Sequence, residues 1–407
     1  MTDDLERFRR EIRSWIEESC PPSMRLPMAE GDEVWGGRRA VFPHPDARVW
    51  LERMALRGFT APTWPKEYGG AGLSTVEAAI LEAELRDAGC RPALRSLGVW
   101  MLGPVILRFG TEEQKREHLA RIARGEIRWC QGYSEPGAGS DLASLGTRAV
   151  LEGDHYVVNG QKTWTSHADE ADWMFCLVRT DPAVPRHEGI GFLLVDLASP
   201  GVRVRPIKLI SGLSPFCETF FDDVRVPARN LVGAPNQGWT VAKALLEHER
   251  SSIGSLRSSA FSAEEPLQDL ARRSLGGEGG TLPDPILRDR VTQANLDELA
   301  YQLTFRRAAE TAAARKSAVT MGETPKPPGP ESSVLKLCGM ELHKRRKDLR
   351  VVLAGFAGLG AEGGEGFSRD ELDLTREWLR SRANSIEGGT TEIQLNIIAK
   401  RILGLPD

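Results

Sequence analysis

The hydrophobic and polar positions of this chain repeat with one period at its two ends and another in its middle. From residue 1 to about 128 the apolar residues recur at helical spacing. The first stretch, MTDDLERFRREIRSWIEE, places apolar side chains at Leu5, Phe8, Ile12, Trp15 and Ile16. This spacing predicts a packed amphipathic helix that opens an N-terminal helical domain, residues 1–128.

Two sequence patterns mark helix starts inside this block. Ser74 precedes Glu77 in STVEAAILEAELRDAG, and Thr111 precedes Gln114 in TEEQKREHLARIARGE. In such a capping box each side chain bonds the backbone N–H of the other residue, which satisfies two donors that a helix start leaves without partners. We therefore expect one helix to begin after Ser74 and another after Thr111.

From residue 129 to about 235 the pattern is that of β-strands. β-branched and aromatic residues crowd five segments separated by turn residues: HYVVNGQKTWTS, DWMFCLVRT, GIGFLLVDL, GVRVRPI and CETFFDDVRVP. Within the first segment, Asn159-Gly160 is a dipeptide suited to a type I′ hairpin turn. The block predicts a middle antiparallel β domain, residues 129–235.

Helical periodicity returns over residues 236–407, interrupted by loops rich in glycine and proline. The predicted fold class is α+β multidomain, with a C-terminal helical bundle over 236–407 as its third part. The basic run HKRRK, residues 343–347, falls in a helical stretch and is expected to be a solvated helix face.

The composition of the chain limits the classes of function that it can have. The 407 residues are enough for two or three domains, and 41% hydrophobic with 27% charged residues is ordinary for a soluble globular protein. A net charge of -4 gives no reason to expect a nucleic-acid or membrane partner. The chain shows no apolar run of membrane-spanning length and no export signal, so we expect a cytoplasmic location.

Cysteine and histidine spacing bears on redox compartment and metals. The six cysteines are scattered without a C-x-x-C pair, which predicts free thiols in a reducing compartment. The seven histidines lack the spacing of metal ligands, so no metal site is expected.

The stretch YSEPGAGSDLAS, residues 133–144, joins the helical and β blocks. It matches neither the phosphate loop of nucleotide hydrolases nor the G-x-G-x-x-G dinucleotide fingerprint. Its glycines would let backbone N–H groups approach an anionic or electron-accepting group, and its serines offer adaptable donors. The same composition also suits a surface turn, so the stretch alone leaves both interpretations open.

Three motifs together resemble one family. YSEPGAGSDLAS, then YVVNGQKTWTS, then EIQLNIIAKRILG near the end are similar, in order and spacing, to the acyl-CoA dehydrogenases. The resemblance extends over nearly the whole chain. It implies FAD as cofactor, an acyl-CoA thioester as substrate and an electron-transferring flavoprotein as acceptor. It also implies a homodimer or homotetramer, with a heteromer as the alternative.

The resemblance assigns flavin contacts to the loop between the helical and β blocks. Tyr133 and Ser134 match positions that hydrogen-bond the pyrimidine edge of the flavin ring. Gln131 and Gly139 belong to the same cofactor-binding set. Ser140 matches a position close to both the pyrophosphate and the substrate.

Further contacts are implied by GQKTWTS. Trp164 matches a tryptophan that lies against the flavin, and Ser166 matches a hydroxyl residue that bonds near flavin N5. A tryptophan on a strand can equally belong to a β core. We favour the flavin contact for both residues.

The C-terminal block carries the remaining implied cofactor residues. ARRSLG resembles a segment that reaches the FAD of a neighbouring subunit, so Arg272 would contact the pyrophosphate with Ser274 beside it. Thr390 and Glu392 match positions near the adenylate half. The segment departs from the family at Leu275, where phenylalanine is usual, and AGFAGLG replaces the family's Gly-Gly-Asn-Gly turn.

The implied reaction removes the pro-R α-proton while the β-hydride passes to flavin N5, so it needs a carboxylate base. Many members carry it in a C-terminal motif whose column falls here on Gly388, one residue beyond Glu387. Other members use a Glu-Arg pair on an earlier helix, matched here by Glu249 and Arg250. A shift of one residue turns a helical side chain by about 100°, so we favour Glu249 as the base and keep Glu387 as the alternative. Arg250 matches an arginine at the acyl-CoA site.

Two functions from different classes follow. The first is an FAD-dependent acyl-CoA dehydrogenase that desaturates its substrate between Cα and Cβ. The second is a non-catalytic or half-site subunit of a heteromeric complex, in which a sister chain completes the FAD site. An oxidase or monooxygenase on the same scaffold is a weaker third. Acyl chain length, branching and ring content are left open.

Overall fold

The computed structural model describes residues 2–28, 31–246, 264–276, 282–320, 331–362 and 366–406. The chain forms two compact units. The first comprises Met1–Ile207 with Pro215–Leu246, and the second comprises Lys208–Ser214 with Glu247–Asp407. The expected base Glu249 and the expected substrate residue Arg250 lie outside the described residues.

The first unit combines helices with one sheet. Its helices are α1 Thr2–Ser19, α2 Pro45–Leu56, α3 Thr75–Asp87, α4 Gly103–Phe109, α5 Glu112–Ala123 and α6 238–246. Its strands are β1 Trp129–Gly132, β2 Arg148–Glu152, β3 His155–Ser166, β4 Trp173–Arg179, β5 Ile190–Asp196, β6 Val202–Ile207 and β7 Phe216–Pro227. A π-helical turn, Gly98–Leu102, leads into α4.

The helix starts that the sequence predicts are confirmed. Ser74 accepts a hydrogen bond from the backbone N–H of Glu77, and Thr111 accepts one from that of Gln114. Both reciprocal bonds of each capping box are present, so α3 and α5 begin where the pattern places them. The amphipathic α1 is confirmed as well, because Ile12 and Ile16 are fully buried.

The sheet has the order β1-β4-β2-β3-β7-β6, with β5 along the other edge of β4. β2 with β3, β3 with β7, β4 with β5 and β6 with β7 pair antiparallel, whereas β1 and β4 run parallel. β4 and β5 are buried on both faces. One face packs on α4, α5 and α6, and the other closes a second apolar cluster around Cys130, Met174 and Cys176.

The prediction of a hairpin turn at Asn159-Gly160 is wrong. β3 continues through both residues, and the chain reverses instead at Gly153, between β2 and β3. The Asn159 amide exchanges hydrogen bonds with Asp223 on β7, at 2.9 Å each way. Gly160 adopts φ +149° where a Cβ would lie 2.7 Å from the Thr147 Cα, so its glycine serves a close backbone approach within the strand.

The second unit is helical. Its helices are α7 Leu267–Leu275, α8 Pro285–Thr320, α9 Glu331–Ala354, α10 Arg369–Ser381 and α11 Thr391–Arg401. Leucines from α7, α9 and α10 form its apolar core, Leu270, Leu353 and Leu374 among them. The order of helical, β and helical blocks predicted from the sequence is therefore confirmed.

The basic run on α9 is not the solvated face that was expected. Arg346 and Lys347 are buried, at 6% and 4% exposure. Lys347 Nζ donates to Glu264 Oε1 at 2.7 Å and to Glu377 Oε2, and Arg346 Nη1 donates to Glu298 Oε2 at 2.7 Å. Their partners come from α8, α10 and the segment before α7, which a local charge pattern cannot reveal.

Candidate functional site

The glycine loop, which we define as residues 133–147, leaves β1 and returns to the sheet at β2. Ser134 is half-buried, whereas Gly139 and Ser140 are exposed. A Cβ added at Gly137 or Gly139 would meet nothing within 4 Å. The backbone at the tip of this loop is therefore open to a ligand.

A buried ion pair fastens the loop to the sheet. Lys162 on β3 is 0% exposed, and its Nζ donates to Glu135 Oε1 at 2.7 Å and to the Tyr133 carbonyl at 3.1 Å. The same carboxylate accepts the backbone N–H groups of Gly146 and Thr147 at 2.6 and 2.9 Å. Burial alone would raise the pKa of Glu135, but the Lys162 ammonium and these donors hold it below its ordinary value.

A guanidinium secures the far end of the same loop. Arg179 Nη2 donates to the carbonyls of Ala143 and Leu145 at 2.5 and 3.3 Å, and Arg179 Nη1 donates to the Arg186 carbonyl at 2.5 Å. The loop is therefore bonded to the sheet on either side of its exposed glycines.

Trp164 lies in a β-bulge beside this loop. The register of β3 against β7 shifts between Lys162, opposite Thr219, and Thr165, opposite Cys217. Two residues, Thr163 and Trp164, therefore oppose Glu218 alone. Trp164 has φ +59° and a 55% exposed side chain, with Phe216 edge-on at 6.0 Å between ring centroids.

A left-handed backbone at a bulky residue is a strained outlier that is often associated with a functional site. The bulge turns the indole out of the core instead of into it. Thr163 N–H donates to the Ser134 carbonyl at 2.9 Å, which joins the bulge to the glycine loop. The structure thus brings together Tyr133, Ser134, Trp164 and, at the end of β3, Ser166.

Gln131 on β1 and Tyr133, the first residue of the glycine loop, differ in exposure. Gln131 is half-buried and pairs with Phe175 on β4. Tyr133 is 6% exposed, and its ring contacts Phe175 and Phe192 edge-on at centroid distances of 6.2 and 6.4 Å. The tyrosine ring is thus part of the apolar core beneath the loop.

The expected cofactor residues of the second unit occupy helix termini. Arg272 and Ser274, in the last turns of α7, are exposed, and Arg272 Nη1 donates to Asp269 Oδ1 at 2.9 Å. Thr390 caps α11 by accepting the Ile393 N–H, and Glu392 in the first turn is exposed. An acidic first turn and an exposed arginine near a helix end are ordinary helix features, and an arginine fork is also suited to a phosphate group.

Glu387 lies in the turn before α11 and is engaged in an ion pair. Its Oε2 accepts from Arg380 Nη2 at 2.7 Å, and the two side chains are 31% and 29% exposed. Gly388 and Gly389 follow with φ +65° and +93°, so the chain reverses directly after the glutamate.

A buried lysine that the sequence reasoning missed supports this turn. Lys336 on α9 is 7% exposed, and its Nζ donates to the Gly389 carbonyl at 2.6 Å and to the Asn384 carbonyl at 3.4 Å. The sequence signal was a lone lysine among apolar residues in ESSVLKLCGM, whereas Lys162, flanked by Gln161 and Thr163, gave no such signal.

Comparison with known proteins decides the family. Models of the acyl-CoA dehydrogenase N-terminal, middle and C-terminal domains match residues 2–126, 130–224 and 236–403. The chain belongs to the acyl-CoA dehydrogenase family. Members of this family are oxidoreductases and flavoproteins.

Relatives of known name match over the full length. The chain is 40% identical to the acyl-CoA dehydrogenase IpdE1 of Mycobacterium tuberculosis, over 99% of this chain and 98% of the relative. It is 36% identical to IpdE1 of Mycolicibacterium smegmatis, with the same coverage.

Two solved structures are similar in fold. One is described as the steroid ACAD Tcur3481-Tcur3483, with TM-score 0.74, 29% identity and coverage of 99% of this chain and 98% of that one. The other is the ChsE4-ChsE5 complex from Mycobacterium tuberculosis, with TM-score 0.71, 31% identity and coverage of 100% and 99%.

Two negative findings apply to the described part of the chain. None of its helices combines the length and hydropathy that a bilayer crossing requires. Within the same residues, no three or more histidine, cysteine or acidic side chains are grouped as a metal ion would need.

Proposed function

We propose that this protein is an FAD-dependent acyl-CoA dehydrogenase that desaturates an acyl-CoA thioester between Cα and Cβ. The observation that carries the proposal is the exposed, left-handed Trp164, hydrogen-bonded through its bulge to an open glycine loop. The exposed indole offers an apolar surface for a flat ring. The open backbone and the serine hydroxyls of the loop offer hydrogen-bond donors for the polar edge of such a ring and for a phosphate group attached to it.

The residues present fit FAD. The set proposed to hold its ring and pyrophosphate comprises Gln131, Tyr133, Ser134, Gly139, Ser140, Trp164 and Ser166. Open space at Gly137 and Gly139 leaves room for the cofactor at the loop tip. When bound, FAD supplies an acceptor for the hydride that leaves the β-carbon of the substrate.

The proposed pyrophosphate residues of the second unit are Arg272 and Ser274, contributed to the cofactor of a neighbouring subunit. Thr390 and Glu392 are proposed to lie near the adenylate half of the FAD. Among the described residues, Arg272 forms an ion pair with exposed Asp269, three residues away on the same helix. Exposed pairs of this kind are weak, so the guanidinium can exchange that carboxylate for a phosphate.

For the base we propose Glu249, with Glu387 as the alternative. The base must accept the α-proton while facing the thioester, and Arg250 beside Glu249 would bind the acyl-CoA. Glu387 is already paired with Arg380 at 2.7 Å, and the following Gly388 occupies the position that bears the base in many relatives. That contact holds the Glu387 carboxylate against Arg380, which supports Glu249.

The finer points of the proposal concern organisation and partners. We retain the domains 1–128, 129–235 and 236–407, a cytoplasmic location and an electron-transferring flavoprotein as acceptor. The six cysteines are free thiols, which suits a reducing compartment. Because one similar structure is described as a steroid ACAD, we propose a bulky, ring-bearing acyl group as substrate.

Anaerobic flavin bleaching tests the proposal. The purified protein is mixed with a panel of straight-chain, branched and steroid-derived acyl-CoA thioesters, and the loss of visible flavin absorbance is followed. Ring-bearing thioesters should bleach it fastest. Glu249→Gln should abolish bleaching while FAD remains bound, and Glu387→Gln should retain it; the reverse outcome would move the base to Glu387.

A half-site subunit of a heteromer is the second candidate, supported by its own observation. Both similar structures are described as pairs of named proteins. In this chain the AGFAGLG segment leaves Phe356 77% and Leu359 70% exposed, an apolar surface that a partner chain could cover. A colourless purified chain that gains FAD only with a sister chain would favour this function.

A further inference from the structure

Two buried threonines lie directly beneath the bulge that carries Trp164. Thr165 on β3 and Thr219 on β7 are both 0% exposed. Thr165 Oγ1 lies 2.8 Å from the Cys217 carbonyl and 3.0 Å from Thr219 Oγ1. We call this pair of residues the hydroxyl latch.

The direction of these bonds follows from counting protons. A threonine hydroxyl has one hydrogen to donate, and a carbonyl can only accept, so Thr165 donates to the Cys217 carbonyl. The Thr219 hydroxyl must then donate to Thr165 Oγ1. The two bonds form a short chain, and loss of the Thr165 hydroxyl would leave the buried Thr219 hydroxyl without this acceptor.

The latch spans the bulge. In the ladder Thr219 lies opposite Lys162, before the bulged residues Thr163 and Trp164, and Thr165 lies directly after them. The bond between the hydroxyls therefore fixes one side of the bulge to the other. Left-handed φ at a tryptophan persists only where surrounding contacts enforce it, and this chain of bonds lies adjacent to Trp164.

We propose that Thr165 and Thr219 are positioning residues that hold Trp164 and Ser166 in the geometry required by the flavin. The flavin part of this inference rests on the proposed function. The mechanical part, that the latch enforces the strained backbone of Trp164, does not depend on any cofactor.

A stability cycle tests the mechanical part. Trp164→Gly relieves the strain of positive φ and also removes the partly buried indole, which is 55% exposed and packs edge-on against Phe216. The loss of the indole contact is common to both backgrounds, but the relief of strain requires the latch. In the Thr165→Val background the tryptophan can relax, so Trp164→Gly should change the urea midpoint more favourably in the wild type than in Thr165→Val. Equal shifts in the two backgrounds would refute the latch.

The flavin part is tested on the holoprotein. Thr165→Val should alter the visible circular dichroism of bound flavin and slow reoxidation by an electron-transferring flavoprotein about tenfold, because misplacement by about 1 Å can reduce rates substantially. Thr165→Ser keeps the hydroxyl and should behave as the wild type. An unchanged flavin spectrum and rate in Thr165→Val would overturn the positioning role.

Matched variants separate positioning from loss of stability. Thr375 is another buried threonine, 7% exposed, whose hydroxyl donates to the Gly358 carbonyl at 3.0 Å. Thr375→Val should lower the urea midpoint without altering the flavin spectrum. Should Thr165→Val not fold, Thr219→Val breaks the hydroxyl contact and leaves the Thr165 bond to Cys217 intact.

The two proposals fail in different ways. A wild type that binds no FAD and is not bleached by any acyl-CoA refutes the proposed function, while the stability cycle still reports on the latch. A normal holoenzyme with equal shifts in the cycle refutes the latch and leaves the proposed function standing.

Discussion

Replacing Lys162 by methionine should be among the most damaging single changes near the candidate site. Methionine keeps most of the side-chain volume but removes the ammonium that bonds Glu135 and the Tyr133 carbonyl. Lys162 is 0% exposed and the Glu135 side chain is 11% exposed, so water cannot replace the lost partner. The glycine loop would keep a buried carboxylate that has lost its ammonium partner and retains the backbone N–H groups of Gly146 and Thr147.

The magnitude follows from the burial of the pair. Removing one partner of a buried ion pair costs about 3–5 kcal/mol, because it leaves an uncompensated charge. The N–H groups of Gly146 and Thr147 still stabilise the carboxylate, so we expect a loss near the lower end, about 3 kcal/mol of unfolding free energy. Most of this penalty should arise from Glu135.

The pH dependence distinguishes this cause from a packing defect. In the wild type the lowered pKa of Glu135 contributes stability above its unfolded pKa, and this is lost as pH falls through the folded pKa. In Lys162→Met burial dominates and raises that pKa, so protonation at acid pH relieves the penalty. The difference in stability between wild type and variant should therefore shrink from pH 7 towards pH 4.

Urea unfolding of the two proteins across this pH range is the assay. Lys162→Met/Glu135→Gln should recover part of the loss, because an amide oxygen can still accept the loop N–H groups without carrying charge. Lys115→Met, which removes an ion-pair partner of the 61% exposed Glu112 on α5, is the control and should have a much smaller effect. A Lys162→Met loss below about 1 kcal/mol, or one independent of pH, would refute the reasoning.

Two further predictions concern the first unit. His118 is 1% exposed, and burial lowers its pKa to about 4. The wild type should therefore lose stability as pH falls from about 6.5 towards 4. In urea unfolding over this pH range His118→Phe should lose less stability than the wild type, and equal losses would contradict this. Gly160→Ala would place a Cβ 2.7 Å from the Thr147 backbone, whereas the Cβ of Gly153→Ala would meet nothing within 4 Å. Gly160→Ala should therefore cost about 1–3 kcal/mol more unfolding free energy than Gly153→Ala. Equal losses of stability in thermal unfolding would contradict the close approach.

What the sequence could predict depended on how local the physical cause was. The capping boxes at Ser74 and Thr111 were correct because all their partners lie within three residues. The turn predicted at Asn159-Gly160 failed because residues distant in the sequence decide the structure there. Thr147 lies close to Gly160 and Asp223 bonds Asn159, and both contacts belong to a continuous strand. Neither role leaves a mark in the dipeptide itself.

Charges followed the same rule. HKRRK reads as a solvated face because its neighbours along the helix are polar, yet Arg346 and Lys347 find acids on α8, on α10 and before α7. The resemblance of GQKTWTS to the acyl-CoA dehydrogenases indicated Trp164 as a site residue. The bulge and the left-handed backbone of Trp164, however, depend on the pairing of β3 with β7. A local sequence pattern cannot predict the pairing of two strands whose partner residues lie about 50 residues apart in the chain.

The central claim is that a flavin ring lies against Trp164 at the glycine loop. A crystal structure of the protein reconstituted with FAD tests it most directly. The account predicts the ring in van der Waals contact with the indole and its polar edge hydrogen-bonded by residues 133–134. A ring bound elsewhere, with Trp164 left in solvent, would contradict it.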